Sequence, residues 1–165
     1  KEAVREVEST GVAVDVSHLS RRGFRDVAGI ARAPFLASHS NCNAVYRHPR
    51  SLTDRQIDCI ITRGGLIGIN LYRAFLGRPG SAGFAAAHRH IRHVLERGGE
   101  HVLALGSDFD GCELEPCFAG VEKLEAFQDY LLANGMPQEQ ADALFYKNAE
   151  KFFQTLLQPQ TDMLK

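Results

Sequence analysis

The sequence has little cysteine, no excess of either charge and no long apolar run, and each shortage removes a class of protein. Its four cysteines, Cys42, Cys59, Cys112 and Cys117, are too few and too unevenly spaced for a disulfide framework. No C-x-x-C pair points to structural zinc, so reduced thiols are expected. The 19 basic and 20 acidic residues leave a formal charge of −1, without the positive field that would hold nucleic acid or an anionic membrane. No long apolar span, basic leader or lipidation box is visible, and a soluble cytoplasmic protein is the expectation.

What is present is an alternation. A chain of 165 residues, 44% of them hydrophobic, is long enough for one sizeable core, and a single domain over 1–165 is expected. "KEAVREVEST" reads as a helix stopping at Gly11, and "VAVDVS" as a buried strand. The unit repeats as "RRGFRDVAGIARA" with "FLAS", "SLTDRQIDCIITRGG" with "LIGIN", and "SAGFAAAHRHIRHVLERGG" with "HVLALG". Ser51 is the expected N-cap of the third helix, with Asp54 three residues on. Two helical segments close the sequence, "GVEKLEAFQDYLLANG" and "PQEQADALFYKNAEKFFQTLL", the second bending near Asn148. Strands this apolar, alternating with helices and undivided by a Gly, Ser or Pro-rich linker, predict an α/β fold of parallel strands covered on both sides. Four of them make a small open sheet or half of a closed barrel.

Polar residues fall in register with those strands. His18 follows the first, His39 the second, Asn70 ends the third and Asp108 follows the fourth. Parallel strands bring their carboxyl ends to one rim, where α/β proteins bind ligands. Neutral imidazoles ligate zinc, so His18 and His39 are the first metal candidates. Asp108 suits proton transfer, whereas Asp110 and Asp15 suit supporting hydrogen bonds. Two histidines do not complete a catalytic zinc site, which takes three protein ligands and a water. His88, His90 and His93 read as surface or packing histidines of an outer helix, and His101 opens its strand at the end remote from Asp108. Arg50, with Arg47 and His48 nearby, makes a local positive patch suited to a carboxylate.

Taken in order, "VDVSH", "PFLASHS", "HPRSLTD", "GLIGIN" and "GSDFDG" resemble the membrane dipeptidase family, the renal-dipeptidase-like metallopeptidases, over nearly the whole chain. The resemblance implies the second half of a metal-dependent-hydrolase-type (β/α)8 TIM barrel, about strands five to eight with the C-terminal helices. It also implies a two-zinc centre that hydrolyses dipeptides. Within it, His18 and His39 would bind one zinc, Arg50 would receive the substrate carboxylate, Asn70 would line the substrate site and Asp108 would assist proton transfer. Ser51 stands where many members carry Asn. The family's H-x-D motif, bridging glutamate and a further histidine have no counterpart. The chain alone is therefore expected to be inactive, with the missing N-terminal half of the barrel as its partner and homodimerisation common among members. Two other readings compete. One is a non-catalytic assembly fragment; the other is a haloacid-dehalogenase-like phosphatase, whose D-x-D motif "LALGSDFDG" also resembles through Asp108 and Asp110.

Overall fold

The computed structural model describes residues 2–78, 80 and 83–157, and in it helix and strand alternate along the chain. Helices α1 (Glu2–Ser9) and α2 (Arg21–Ile30) precede β1 (Leu36–Ala37), and α3 (Asp54–Thr62) precedes β2 (Leu66–Ile69). Next come α4 (Arg73–Leu76), α5 (Phe84–Glu96) and β3 (Leu103–Leu105). A 3-10 turn (Pro116–Phe118), α6 (Lys123–Ala133), α7 (Gln138–Asp142), a π-helical turn (Ala143–Lys147) and α8 (Asn148–Leu157) follow. The expected helix starts at Lys1 and Ser81 lie outside the described residues.

The strands are parallel in the order β1-β2-β3, with Leu36 opposite Leu66 and Ile67 opposite Leu103. On the free side of β1 the segment 14–16 runs alongside: the Val16 N–H donates to the Leu36 carbonyl at 2.8 Å, and the Leu36 N–H to the Val14 carbonyl at 3.0 Å. "VAVDVS", expected as a full strand, therefore pairs only through a bridge at Asp15. The cause is local. The Ser38 N–H, the next donor along that edge, turns to Asp15 Oδ1 at 3.1 Å, and the Ser17 N–H joins it at 3.0 Å, so the carboxylate ends the ladder.

Side chains alternate between two faces, as the pleat requires. Phe35, Ala37, Ile67, Ile69 and Leu103 join Phe24 and Val27 of α2, Ile57 and Ile60 of α3, and Ile91 and Val94 of α5 in the main core. Leu36, Leu66 and Ala104 point the other way and are covered by Phe152 of α8. Each large side chain so buried contributes roughly 1.5–3 kcal/mol. Near the carboxyl ends the strands close in further. A Cβ at Gly68 or at Gly106 would collide with the Ser38 carbonyl, so these positions require glycine for space alone.

The third helix starts two residues later than the sequence suggests. The chain stays extended through Leu52, which bridges Cys42, so Ser51 cannot cap. Thr53 takes that place, its N–H and its hydroxyl each donating to Gln56 Oε1 at 2.9 Å. Near Asn148, where the sequence predicts a bend or break, α7 runs on into α8 through the π-helical turn. There the Asn148 Nδ2 donates to the Glu100 and Leu103 carbonyls, both at 2.8 Å, and ties the last helix to β3. All four cysteines are free thiols, and no helix among the described residues is long and apolar enough to cross a membrane.

Candidate active site

His18, just past the bridged segment, and His39, two residues past β1, meet at the carboxyl ends of their strands. Their Nε2 atoms lie 2.8 Å apart. The other nitrogen of His39, Nδ1, is 2.7 Å from Ser38 Oγ, which lies 2.5 Å from Asp15 Oδ2. An ionised carboxylate only accepts, so the Ser38 hydroxyl donates to Asp15 and its oxygen accepts from the His39 Nδ1–H. That fixes the tautomer and leaves the His39 Nε2 lone pair facing His18. Partial enclosure alone would raise the Asp15 pKa, but hydrogen bonds from Ser38 and Ser17 outweigh it and hold the carboxyl below its ordinary value. Burial pushes the His39 pKa down, against the pull of Asp108 and Asp15, and keeps the imidazole neutral.

Arg50 reaches the same point, its Nη2 3.5 Å from His39 Nε2. Together with His18 and Asp108 it borders a cavity of about 630 Å³. One wall is aromatic: Tyr72 and Phe75 meet edge to face with ring centroids 4.7 Å apart, and His48 lies 4.3 Å from the Phe75 ring. Cys112 also lines it, but burial and the neighbouring Asp108 push its thiol up to about 11. The Sγ–H donates to the Asp108 carbonyl at 3.2 Å, so the group is no nucleophile at neutral pH.

Asp108 sits at φ 58° and Asp110 at φ 63°, a left-handed conformation that aspartate tolerates. Asp108 Oδ2 accepts from the Asn70 Nδ2 at 3.1 Å. Asn70, expected to touch substrate, is instead fully buried behind that carboxylate. Its Oδ1 accepts the Tyr72 N–H at 2.6 Å, so both ends of its amide are engaged inside the fold.

The sequence reading gave Asp15 a supporting role and His90 a surface or packing one, but not their partners. The Asp15–Ser38 support of His39 joins residues 23 apart with no periodic signal. Asn41, which grips Asn70, lies in an unremarkable loop. His90, read as a surface or packing residue, is wholly buried: its Nδ1 accepts the Cys42 N–H at 3.1 Å, and its Nε2 lies 3.2 Å from the Leu76 carbonyl, to which it donates. His93 is partly buried, its Nε2 2.8 Å from Asp54 Oδ1.

The donor chemistry fits a metal in part. Two imidazoles converge, one with its far nitrogen held by a hydroxyl backed by a carboxylate, which is how zinc-binding histidines are oriented. No group of three or more His, Cys, Asp or Glu among the described residues is arranged to hold a metal.

The chain is similar to several known proteins. The family model described as membrane dipeptidase (peptidase family M19) matches residues 1–163. A Klebsiella pneumoniae protein encoded in the pqqA 5′ region is 36% identical over 149 residues, 88% of this chain and 55% of its own length. An uncharacterized dipeptidase of Schizosaccharomyces pombe is 33% identical over 79% of this chain and 31% of its own. The crystal structure of a metallopeptidase from Rhodobacter sphaeroides, liganded with a phosphinate mimic of the dipeptide L-Ala-D-Ala, aligns with a TM-score of 0.88 at 34% identity. The alignment covers 93% of this chain and 45% of that one. The chain thus spans about half or less of the length of these relatives, and its fold is a piece of their TIM-barrel-like α/β architecture.

Proposed function

The chain belongs to the membrane dipeptidase family, peptidase family M19, and from that premise we propose that the full-length protein carrying it is a zinc-dependent dipeptidase. The observation that carries the reading is the convergence of the His18 and His39 Nε2 atoms at 2.8 Å beside Arg50. A cation-binding pair next to a guanidinium suits a substrate with a peptide carbonyl at one end and a carboxylate at the other. The dipeptide mimic bound by the R. sphaeroides relative makes L-Ala-D-Ala a suitable first substrate.

His18 and His39 would hold one metal, which supplies Lewis-acid polarisation of the scissile carbonyl when bound. The remaining ligands, a second zinc site included, belong to the rest of the barrel, so the chain by itself is inactive. Arg50 grips the terminal carboxylate through two parallel N–H bonds and sets the length of peptide that fits. Water adds to the carbonyl carbon, Asp108 takes its proton, and the same proton passes to the leaving amine nitrogen as the C–N bond breaks. The Tyr72–Phe75 wall excludes water from one flank of the cavity.

The full-length protein, freed of metal and reloaded with zinc, tests the reading. Hydrolysis of L-Ala-D-Ala that returns with zinc and is lost in His18→Ala and His39→Ala is the expected result. Activity retained by both variants would remove these histidines from the metal centre.

A further inference from the structure

Asp108 has two carboxylate oxygens, and the structure treats them differently. Oδ2 accepts the Asn70 Nδ2–H at 3.1 Å. Oδ1 lies against Gly111 on the cavity wall, where the Cys112 thiol also neighbours the carboxylate. A Cβ at Gly111 would run into Oδ1, so the glycine there keeps that oxygen open. Asn70 cannot be turned over to present its oxygen instead, because its Oδ1 already accepts the Tyr72 N–H at 2.6 Å. Its backbone is fixed as well. Asn41 Oδ1 accepts the Asn70 N–H at 3.1 Å, and Asn41 Nδ2 donates to the Asn70 carbonyl at 3.0 Å. Both asparagines are buried, Asn70 at 0% exposure and Asn41 at 2%, where an unpaired amide would be costly.

We infer that the buried Asn41–Asn70 amide pair is a positioning device for Asp108, holding Oδ2 so that Oδ1 is the oxygen that exchanges the proton with substrate and water. The inference rests on the proposed dipeptidase reading for its chemistry and on the hydrogen-bond geometry for its substance. A carboxylate on a turn residue at φ 58° would otherwise swing about χ1 and χ2. With one oxygen tied to a rigid amide, the other keeps one direction, and proton transfer is sensitive to such placement. The amide also supplies a donor to the ionised form, and Asn41 links it to the loop that follows His39. Asp108 and the loop that follows His39 are thereby joined by one network.

Two measurements on the full-length protein test this. In the first, Asn side chains are 15N-labelled and the Asn70 Nδ2 protons are followed by NMR; Asp108→Ala is expected to shift them upfield, which needs no turnover. In the second, the isosteric Asn70→Asp keeps the acceptor for Tyr72 and loses the donor to Asp108. It is expected to lower kcat on L-Ala-D-Ala by roughly tenfold to a hundredfold, with KM within about twofold. In an Asp108→Asn background the same change should cost less than about twofold, because the residue it acts through has already been disabled. Asn70 amide protons that ignore Asp108→Ala overturn the inference, as does an equal fold-loss in both backgrounds, the signature of a general structural role. If the wild type fails to hydrolyse dipeptides while the amide protons respond, the dipeptidase reading falls and the positioning contact stands.

Discussion

The Nε2 atoms of His18 and His39 lie 2.8 Å apart across a sequence separation of 21 residues, brought together because each follows one of two adjacent parallel segments. Between two such nitrogens only one can carry the proton, and the Asp15–Ser38 chain decides which. By holding His39 Nδ1–H, it leaves the His39 Nε2 as acceptor toward His18, or toward a metal in its place.

Ser38→Ala should therefore release the His39 ring without removing a ligand. Zinc affinity of the full-length protein, measured by competition with a chelator, is expected to fall by about 10 to 100-fold. Asp15→Asn should weaken it in the same direction. Unchanged affinity in both variants would make the chain of hydrogen bonds a detail of the loop and nothing more.

Arg50 tests substrate recognition. Arg50→Lys keeps the charge and loses the planar fork, so kcat/KM on a free dipeptide should drop while zinc content stays constant. Arg50→Ala should lose about 2 kcal/mol, the size of a hydrogen bond to a charged group. Both losses should shrink on a dipeptide with an amidated C-terminus. An equal proportional loss on the two substrates would leave Arg50 a loop residue without a hand in carboxylate binding.

The rim of the site was legible in the sequence because it follows from periodicity: four apolar runs, each trailed by a polar residue, put His18, His39, Asn70 and Asp108 at the same end of parallel strands. The ladder at "VAVDVS" was not, since a side chain of that run, Asp15, captures the amides that would have extended it. Helix α5 shows a second limit. Its spacing puts Phe84, Ala87, His88, Ile91 and Leu95 on one helical face, and Phe84, Ala87, Ile91 and Leu95 do pack in the core, but Ala86, His90 and Val94 are buried beside them. His90 finds partners inside the core in two distant backbone groups, the Cys42 N–H and the Leu76 carbonyl. No local pattern encodes partners that arrive 48 and 14 residues away.

Gly111 gives a steric prediction. Its backbone needs no left-handed conformation, but an added methyl would meet the Asp108 side chain. Gly111→Ala in the full-length protein is expected to reduce kcat on dipeptides by roughly tenfold or more, from misplacement of the reacting group, with thermal stability near that of the wild type. Wild-type kcat in this variant would mean that Asp108 Oδ1 is not the oxygen in use.

His90 sets a pH dependence of stability that is independent of the active site. Burial pushes its pKa down to about 4, against a hydrogen bond to the Leu76 carbonyl that favours the charged form. In the unfolded chain the imidazole returns to about 6.5, so between these values the unfolded state binds the extra proton. The stabilising contribution is complete above pH of about 6.5 and is lost as pH falls toward 4, amounting to about 3 kcal/mol across the window. His90→Gln does not titrate, yet at pH 7.5 it should be the less stable protein, by about 1–3 kcal/mol, because the Cys42 N–H and the Leu76 carbonyl cannot both be satisfied in the same geometry. Urea unfolding of the full-length protein at a series of pH values should show the gap between wild type and His90→Gln closing on acidification. A gap that stays constant from pH 7.5 to 4.5 would show that His90 charges in the folded state without penalty, and that the acid sensitivity of the fold lies in other groups.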